Sequence, residues 1–157
     1  VKYQAATVAG IAGSFAMDVV QDTWSAIFSR NRVGEERDEE TEAIVAVVKR
    51  IAKYVPGDYA NKHPGTVGRI LHYLFGSAFG LAYAAMRTQD RRVAAGGGTA
   101  FGGALWLLSD VVLIPTARLG RPFWRYSRAD RWNAVLSHLA YAATLEAFLR
   151  LDEARAK

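Results

Sequence analysis

The chain contains no cysteine. That excludes structural disulfides, Cys-ligated zinc, iron–sulfur clusters and thiol nucleophiles, and it is silent about compartment. Proline is scarce, at 4 residues, whereas the 14 glycines fall mostly inside apolar runs and not in linkers. Dense chemical motifs are missing too. There is no HExxH or ExxH, no P-loop and no dinucleotide fingerprint. The Gly96–Gly98 cluster opens an apolar helix, follows no strand and lacks the P-loop Lys-Ser/Thr. Ser109 and Ser137 are available for Ser–His–Asp chemistry, but neither sits in a GxSxG elbow. At 157 residues the chain makes one domain.

What is present is uneven. Mean hydropathy is only +0.01, because apolar stretches are averaged with charged connectors. The stretches are Ala5 to Phe28, Ile70 to Met86, Val93 to Pro115 and Ala134 to Leu149. A helix crossing a bilayer needs about 20 mostly apolar residues. With flanking Arg69 and Arg131 reaching toward headgroups, all four stretches qualify, with spans expected at about 5–28, 66–87, 93–115 and 131–150. None alternates with period two, so the expectation is an all-α, four-transmembrane-helix bundle. The apolar run after Lys2 has no clear cleavage site and reads as a retained first helix.

A soluble four-helix bundle is the alternative, and two features weigh against it. Gly76 and Gly80, and Gly98 and Gly102, are GxxxG pairs, and Gly10 and Gly13 lie in the first helix. An interior Gly costs a helix in water about 1 kcal/mol relative to Ala, whereas in lipid small residues let helices pack closely. Polar faces are also thin: from Val93 to Leu108 only Thr99 carries a polar side chain. Trp24, Trp124, Tyr126 and Trp132 fall near span ends, where an aromatic belt would put them.

Residues 29–64 are different. They hold the acidic run Glu35, Glu36, Asp38, Glu39, Glu40 and Glu42, then apolar residues at helical spacing from Ala43 to Val55. An extra amphipathic helix is expected over about 39–55, ended by Pro56-Gly57 and packed on the bundle or lying on the membrane surface. The basic stretch Arg118 to Arg131 interleaves arginines with Phe123, Trp124, Tyr126 and Trp132. Between two spans it reads as a headgroup-binding loop and not as a nucleic-acid surface.

Each expected span carries an ionisable side chain well inside it: Asp18, His72, Asp110 and His138. Helices alternating in direction, at about 1.5 Å per residue, bring all four to within roughly 5 Å of one level. Two carboxylates and two imidazoles suit a divalent metal ion. They equally suit a proton relay, and two histidines could hold a haem axially. Asp–His hydrogen bonds that merely lock helices together are the plain structural reading. Thr99, Gly103, Trp106 and Asp110 are expected to share one face of the third helix.

The segments AGIAGSFAMDVVQ (9–21), HYLFGSAFGLAYA (72–84), GGGTAFGGALWLLSDVVLIP (96–115) and SHLAYAATLEAFLR (137–150) resemble the YagU-like family of bacterial inner-membrane proteins. The resemblance covers most of the chain outside 29–64. It implies a small multi-pass protein of the bacterial inner membrane, associated with acid tolerance, and brings no catalytic residues with it. Lys and Arg are more numerous on the side where the first span ends, which would face the cytoplasm by charge; the resemblance implies that both termini do. The leading function is a non-enzymatic membrane protein binding a cation or relaying protons at Asp18, His72, Asp110 and His138. The alternatives are an accessory subunit of a membrane complex or a homo-oligomer packing through Gly-rich faces, and, third, an enzyme.

Overall fold

A computed structural model describes residues 3–28, 46–54 and 58–156, and among these there is no β-strand. Three long helices dominate: α1 (Tyr3–Phe28), α4 (Pro64–Gln89) and α7 (Arg128–Arg155). Residues 46–52 are helical (α2), followed by a single turn, α3 (Tyr59–Lys62). The third apolar stretch forms α5 (Thr99–Trp106), a wide π-helical segment at Leu107–Leu113, and a last turn, α6 (Ile114–Thr116). The acidic run and the start of the expected 39–55 helix, residues 39–45, lie outside the described residues; α2 is the described helical part, and Val48 is its buried contact.

Local chemistry sets the boundaries. Pro64 starts α4, where a missing N–H costs nothing. Ser127 caps α7 by accepting from the Asp130 backbone N–H. The expected continuous helix from Val93 needs correction. The 3₁₀ segment that starts at Arg91 is broken by a kink at Ala95–Gly97, and Gly96, Gly97 and Gly98 have positive φ, a conformation glycine adopts without steric cost. The α-helix proper starts only at Thr99. Further on, Pro115 has no N–H to continue the ladder, and Ile114 N–H reaches back five residues to the Ser109 carbonyl.

α1 packs against α4 and α7, and α5 packs against α7. The contacts fix an alternating course. Gly10 lies on Gly76 and Ala6 on Gly80, so α1 and α4 are antiparallel; Gly98 meets Ala142 and Gly102 meets His138, so α5 and α7 are too. Tyr141 hydroxyl donates to the Gly76 carbonyl at 2.6 Å, tying α7 to the parallel α4. The glycines do this by closeness. A Cβ on Gly80 would stand 2.6 Å from the Ala6 carbonyl oxygen, and one on Gly102 2.6 Å from that of His138. Here the small-residue faces are used for packing within the chain.

Side-chain size is inverted on α1 and on the Gly76–Gly80 face of α4, while Tyr83, Leu105, Tyr141 and Leu145 fill the rest of the core as large buried side chains. The buried face of α1 is Ala6, Ala9, Gly10, Gly13 and Ser14. Its opposite face exposes Val8, Ile11, Phe15 and Val19. α4 buries Gly76, Gly80 and Ala84 and exposes Ile70, Leu74 and Met86. Among the described residues, one run, Arg91–Thr116, is long and apolar enough to cross a membrane by length and composition. The other long helices carry more polar and charged side chains: Asp18 and Asp22 in α1, Arg69 and Arg87 in α4, Glu146 and Arg150 in α7.

Candidate functional site

The four expected residues come together as two pairs. On α1 and α4, His72 Nε2 lies 3.2 Å from Asp18 Oδ1, while Tyr73 hydroxyl donates to Asp18 Oδ2 at 2.8 Å. His72 Nε2 also approaches the Ser14 carbonyl at 3.4 Å. Both neighbours of this nitrogen are acceptors, so it carries a hydrogen. A neutral His72 and an ionised Asp18 therefore satisfy the first pair.

The second pair joins the π-segment to α7 and is bridged. His138 Nδ1 lies 2.9 Å from the Ala134 carbonyl, which can only accept. Its Nε2 lies 3.2 Å from Ser109 Oγ, and Ser109 Oγ lies 2.7 Å from Asp110 Oδ1. The direct His138 Nε2–Asp110 Oδ1 separation, 3.9 Å, is too long for a hydrogen bond. The wide π-turn makes this bridge. Buried Gly98, Gly102 and Leu105 face α7, whereas a Cβ on Gly103 would meet nothing. The expected face of Thr99, Gly103, Trp106 and Asp110 is thus rotated by about one residue. Inside the π-turn Ser109 contacts both its neighbour Asp110 and His138, and π-turns are frequent at functional sites.

The two pairs share a level. His72 is four residues from Gly76 on α4, and His138 three from Tyr141 on α7. Measured from the Tyr141–Gly76 hydrogen bond, the histidines stand roughly 6 and 4.5 Å along parallel helices. Both line one cavity of about 330 Å³ between α4 and the π-segment. Its walls are almost wholly apolar, built by residues such as Met17, Leu71, Phe75, Phe79, Leu105 and Leu113. Among the described residues no group of three or more His, Asp or Glu could hold a metal ion. Ser14, 1 % exposed, also lines the cavity, and its hydroxyl has no hydrogen-bond partner among the described residues.

One ionic site was not foreseen. Glu146, 1 % exposed, accepts from Tyr83 hydroxyl at 2.7 Å and from Arg87 Nε at 2.7 Å. Arg150 adds a third donor one turn along α7, and Arg87 continues to Glu153. The signal was in the sequence as Glu146 and Arg150 at i, i+4, and Tyr83 and Arg87 likewise. Reading one ionisable residue per span hid it.

No curated protein and no solved structure matches the chain. Residues 48–147, spanning the second half of the extra connector helix through the whole Asp110–His138 bridge, match the family described as "Protein of unknown function (DUF1440)", and the chain belongs to that family.

Proposed function

We propose that this protein is a small multi-pass protein of the bacterial inner membrane whose Asp110–Ser109–His138 bridge takes up and hands on a proton. The inverted arrangement of side chains supports the membrane reading. Phe15, Val19, Leu74, Phe75, Leu107 and Leu108 are about half exposed, and contiguous apolar faces of this kind mark a protein or membrane contact. Lipid tails provide that contact, while Gly and Ala faces pack helix on helix. The polar groups that prevent α1, α4 and α7 from matching a simple apolar span are mostly paired inside: Asp18 with His72, Glu146 with Arg87. The likeness to YagU-like sequences is in keeping with this placement.

The observation that carries the proton reading is the hydrogen count in the bridge. Ser109 has one hydroxyl hydrogen. If it goes to Asp110, His138 Nε2 needs a hydrogen of its own to bond Ser109, and the ring is an imidazolium. If it goes to His138, Asp110 needs a hydrogen to donate to Ser109, and the carboxyl is neutral. Ser109 also lies 3.4 Å from the Trp106 carbonyl, a longer contact than the 2.7 Å to Asp110. Either fully bonded arrangement holds one proton more than a neutral imidazole beside a carboxylate. The two interconvert by moving two hydrogens along the bridge, without moving a heavy atom. Asp18–His72, the first pair, needs no such extra proton, and across the shared cavity it is the acceptor or donor next in line.

The chain has 3 histidines, so uniform ¹⁵N-histidine labelling in bilayers resolves each ring. We expect His138 alone to show Nδ1 protonated throughout, with Nε2 changing protonation when Asp110→Asn or Ser109→Ala is introduced. A neutral His138 ring with a bare Nε2 beside an ionised Asp110 carboxylate, read by ¹³C labelling of the aspartates, overturns the reading. Proteoliposomes with an internal pH dye supply the second measurement: proton equilibration faster than in His138→Gln liposomes. Stoichiometric metal in the purified protein, lost in His138→Gln, would assign the pairs to a cation instead.

A further inference from the structure

The apolar cavity has room for a guest, and the geometry points to one alkyl chain of an anionic membrane phospholipid, seated between α4 and the π-segment with its phosphate at Arg69 and Arg118. This inference rests on the membrane reading above but not on the proton bridge. The volume, about 330 Å³, is that of a small-molecule pocket. Because the walls are almost wholly apolar, water entering it would find few partners, and a cavity of this kind stays dry or takes an apolar guest. The lining residues Phe75 and Leu113 are themselves half exposed. The pocket is therefore continuous with the exposed apolar faces of Leu74 and Val112 beside them, and a chain from the surrounding lipid can enter sideways.

Charge selects the headgroup. Toward the end of the bundle where α1 finishes and α4 starts, the lining includes Val47, Gly68, Ile114 and Leu119. Gly68 is followed by exposed Arg69, and Leu119 is preceded by exposed Arg118. From Val111 to Ala129 the chain has Arg118, Arg121, Arg125 and Arg128 and no Asp or Glu. Arginine presents paired donors to phosphate oxygens, and basic pockets between membrane helices take anionic lipid heads. Arg118 is also the single described non-glycine residue with positive φ, at 52°. Leu119 N–H closes that turn onto the Ile114 carbonyl at 2.9 Å. The turn thus places Leu119 in the cavity wall with Arg118 next to it.

The test compares lipids with matched chains. The full chain, purified in a neutral detergent, is loaded with phosphatidylglycerol or phosphatidylcholine and its bound lipid counted by native mass spectrometry. We expect one phosphatidylglycerol retained in preference to phosphatidylcholine by roughly fivefold to tenfold, the scale of one arginine near a lipid headgroup. Arg69→Gln with Arg118→Gln should abolish the preference and leave weak retention of both lipids. Leu113→Trp, or Leu71→Phe if that variant unfolds on heating at lower temperature, should fill the pocket and reduce retention of both. Equal retention of the two lipids by the unaltered chain, or retention unchanged by a folded pocket-filling variant, overturns the inference. So does full displacement of phosphatidylglycerol by inorganic phosphate alone, which would make the chain irrelevant. Asp110→Asn, which alters the bridge at a residue outside the cavity wall, should leave lipid retention unchanged, so failure of the proton bridge and failure of the lipid seat are read separately. A chain monodisperse without detergent would sink the membrane reading and this inference with it.

Discussion

The two ends of the bundle hold buried charge in opposite ways. Near the C-terminal ends of α4 and α7, Glu146 is surrounded by Tyr83, Arg87 and Arg150, and Arg87 is shared with Glu153. Two carboxylates meet two guanidiniums, and each partner is a fixed donor or a fixed acceptor. About two turns away, Asp18–His72 and Asp110–Ser109–His138 flank an apolar cavity. Their imidazoles and hydroxyl can donate or accept, so the hydrogen pattern has more than one solution. The first arrangement fastens helices. The second leaves a choice of proton position beside empty space, and that difference is why function is assigned to the histidine end.

The strongest way to break the comparison is to unbalance the fastened end. Glu146→Ala leaves Arg87, whose side chain is 14 % exposed, and Tyr83 hydroxyl without their buried acceptor. Breaking a buried pair by removing one partner costs about 3–5 kcal/mol, and the retained Arg87–Glu153 contact places the loss toward the lower figure. Thermal unfolding in detergent should show the largest fall of any single substitution here. A fall no larger than that of His138→Gln would mean that the two ends are not distinct.

Next in size is the α1–α4 contact that holds the first pair in register. Gly80→Leu puts a Cβ 2.6 Å from the Ala6 carbonyl oxygen and 2.9 Å from Gly10 Cα. Both neighbours are backbone, so the helices must separate, at a cost of about 1–3 kcal/mol. Asp18–His72 lies across the same interface, so loss of the His72 ring's shift on Asp18→Asn substitution should accompany it. Gly103→Ala, whose Cβ meets nothing, is the matched control and should unfold at the wild-type temperature.

How far the sequence revealed these two ends is instructive. The long helices were legible to within about five residues at each end from apolar stretches and charged flanks, and so was their alternating course. The four ionisable residues were also legible, and their common level follows from helical rise alone. The link between Asp110 and His138 was not, because it runs through Ser109, which lies in the π-turn between them. Periodicity assumes 3.6 residues per turn, and a π-turn changes the phase without changing composition. The 3₁₀ start at Arg91–Gly98 was missed for a related reason: three glycines permit a helix and a left-handed turn alike. Glu146 lies inside the fourth apolar stretch, and its partners Tyr83 and Arg87 come from α4, a contact between helices that spacing along one stretch does not show.

A smaller effect separates fastening from proton handling within the bridge itself. Ser109→Ala removes one hydroxyl and leaves a gap of 3.9 Å between His138 Nε2 and Asp110 Oδ1, longer than a hydrogen bond. The loss of one part-buried hydrogen-bonding group should lower stability by about 1 kcal/mol. Thr at the same position keeps the hydroxyl and should restore both the His138 Nε2 signal and the proton equilibration rate. If Ala and Thr behave alike, the hydroxyl is not part of the path.

The smallest expected change has the opposite sign. Ser14 hydroxyl is buried against Gly76 without a hydrogen-bond partner among the described residues. A buried polar group without a partner costs free energy, whereas the methyl of alanine in the same space costs none. Ser14→Ala should therefore raise stability slightly, by up to about 1 kcal/mol, and shift the unfolding temperature upward by a few degrees at most. The backbone carbonyl of Ser14, which His72 Nε2 approaches, is retained, so the His72 ring should give an unchanged spectrum. A fall in stability would show that the hydroxyl is satisfied in the membrane by water or by a lipid group reaching into the cavity. Repeating the measurement with phosphatidylglycerol and with phosphatidylcholine separates those two sources: a lipid partner makes the fall depend on the lipid supplied, and water does not.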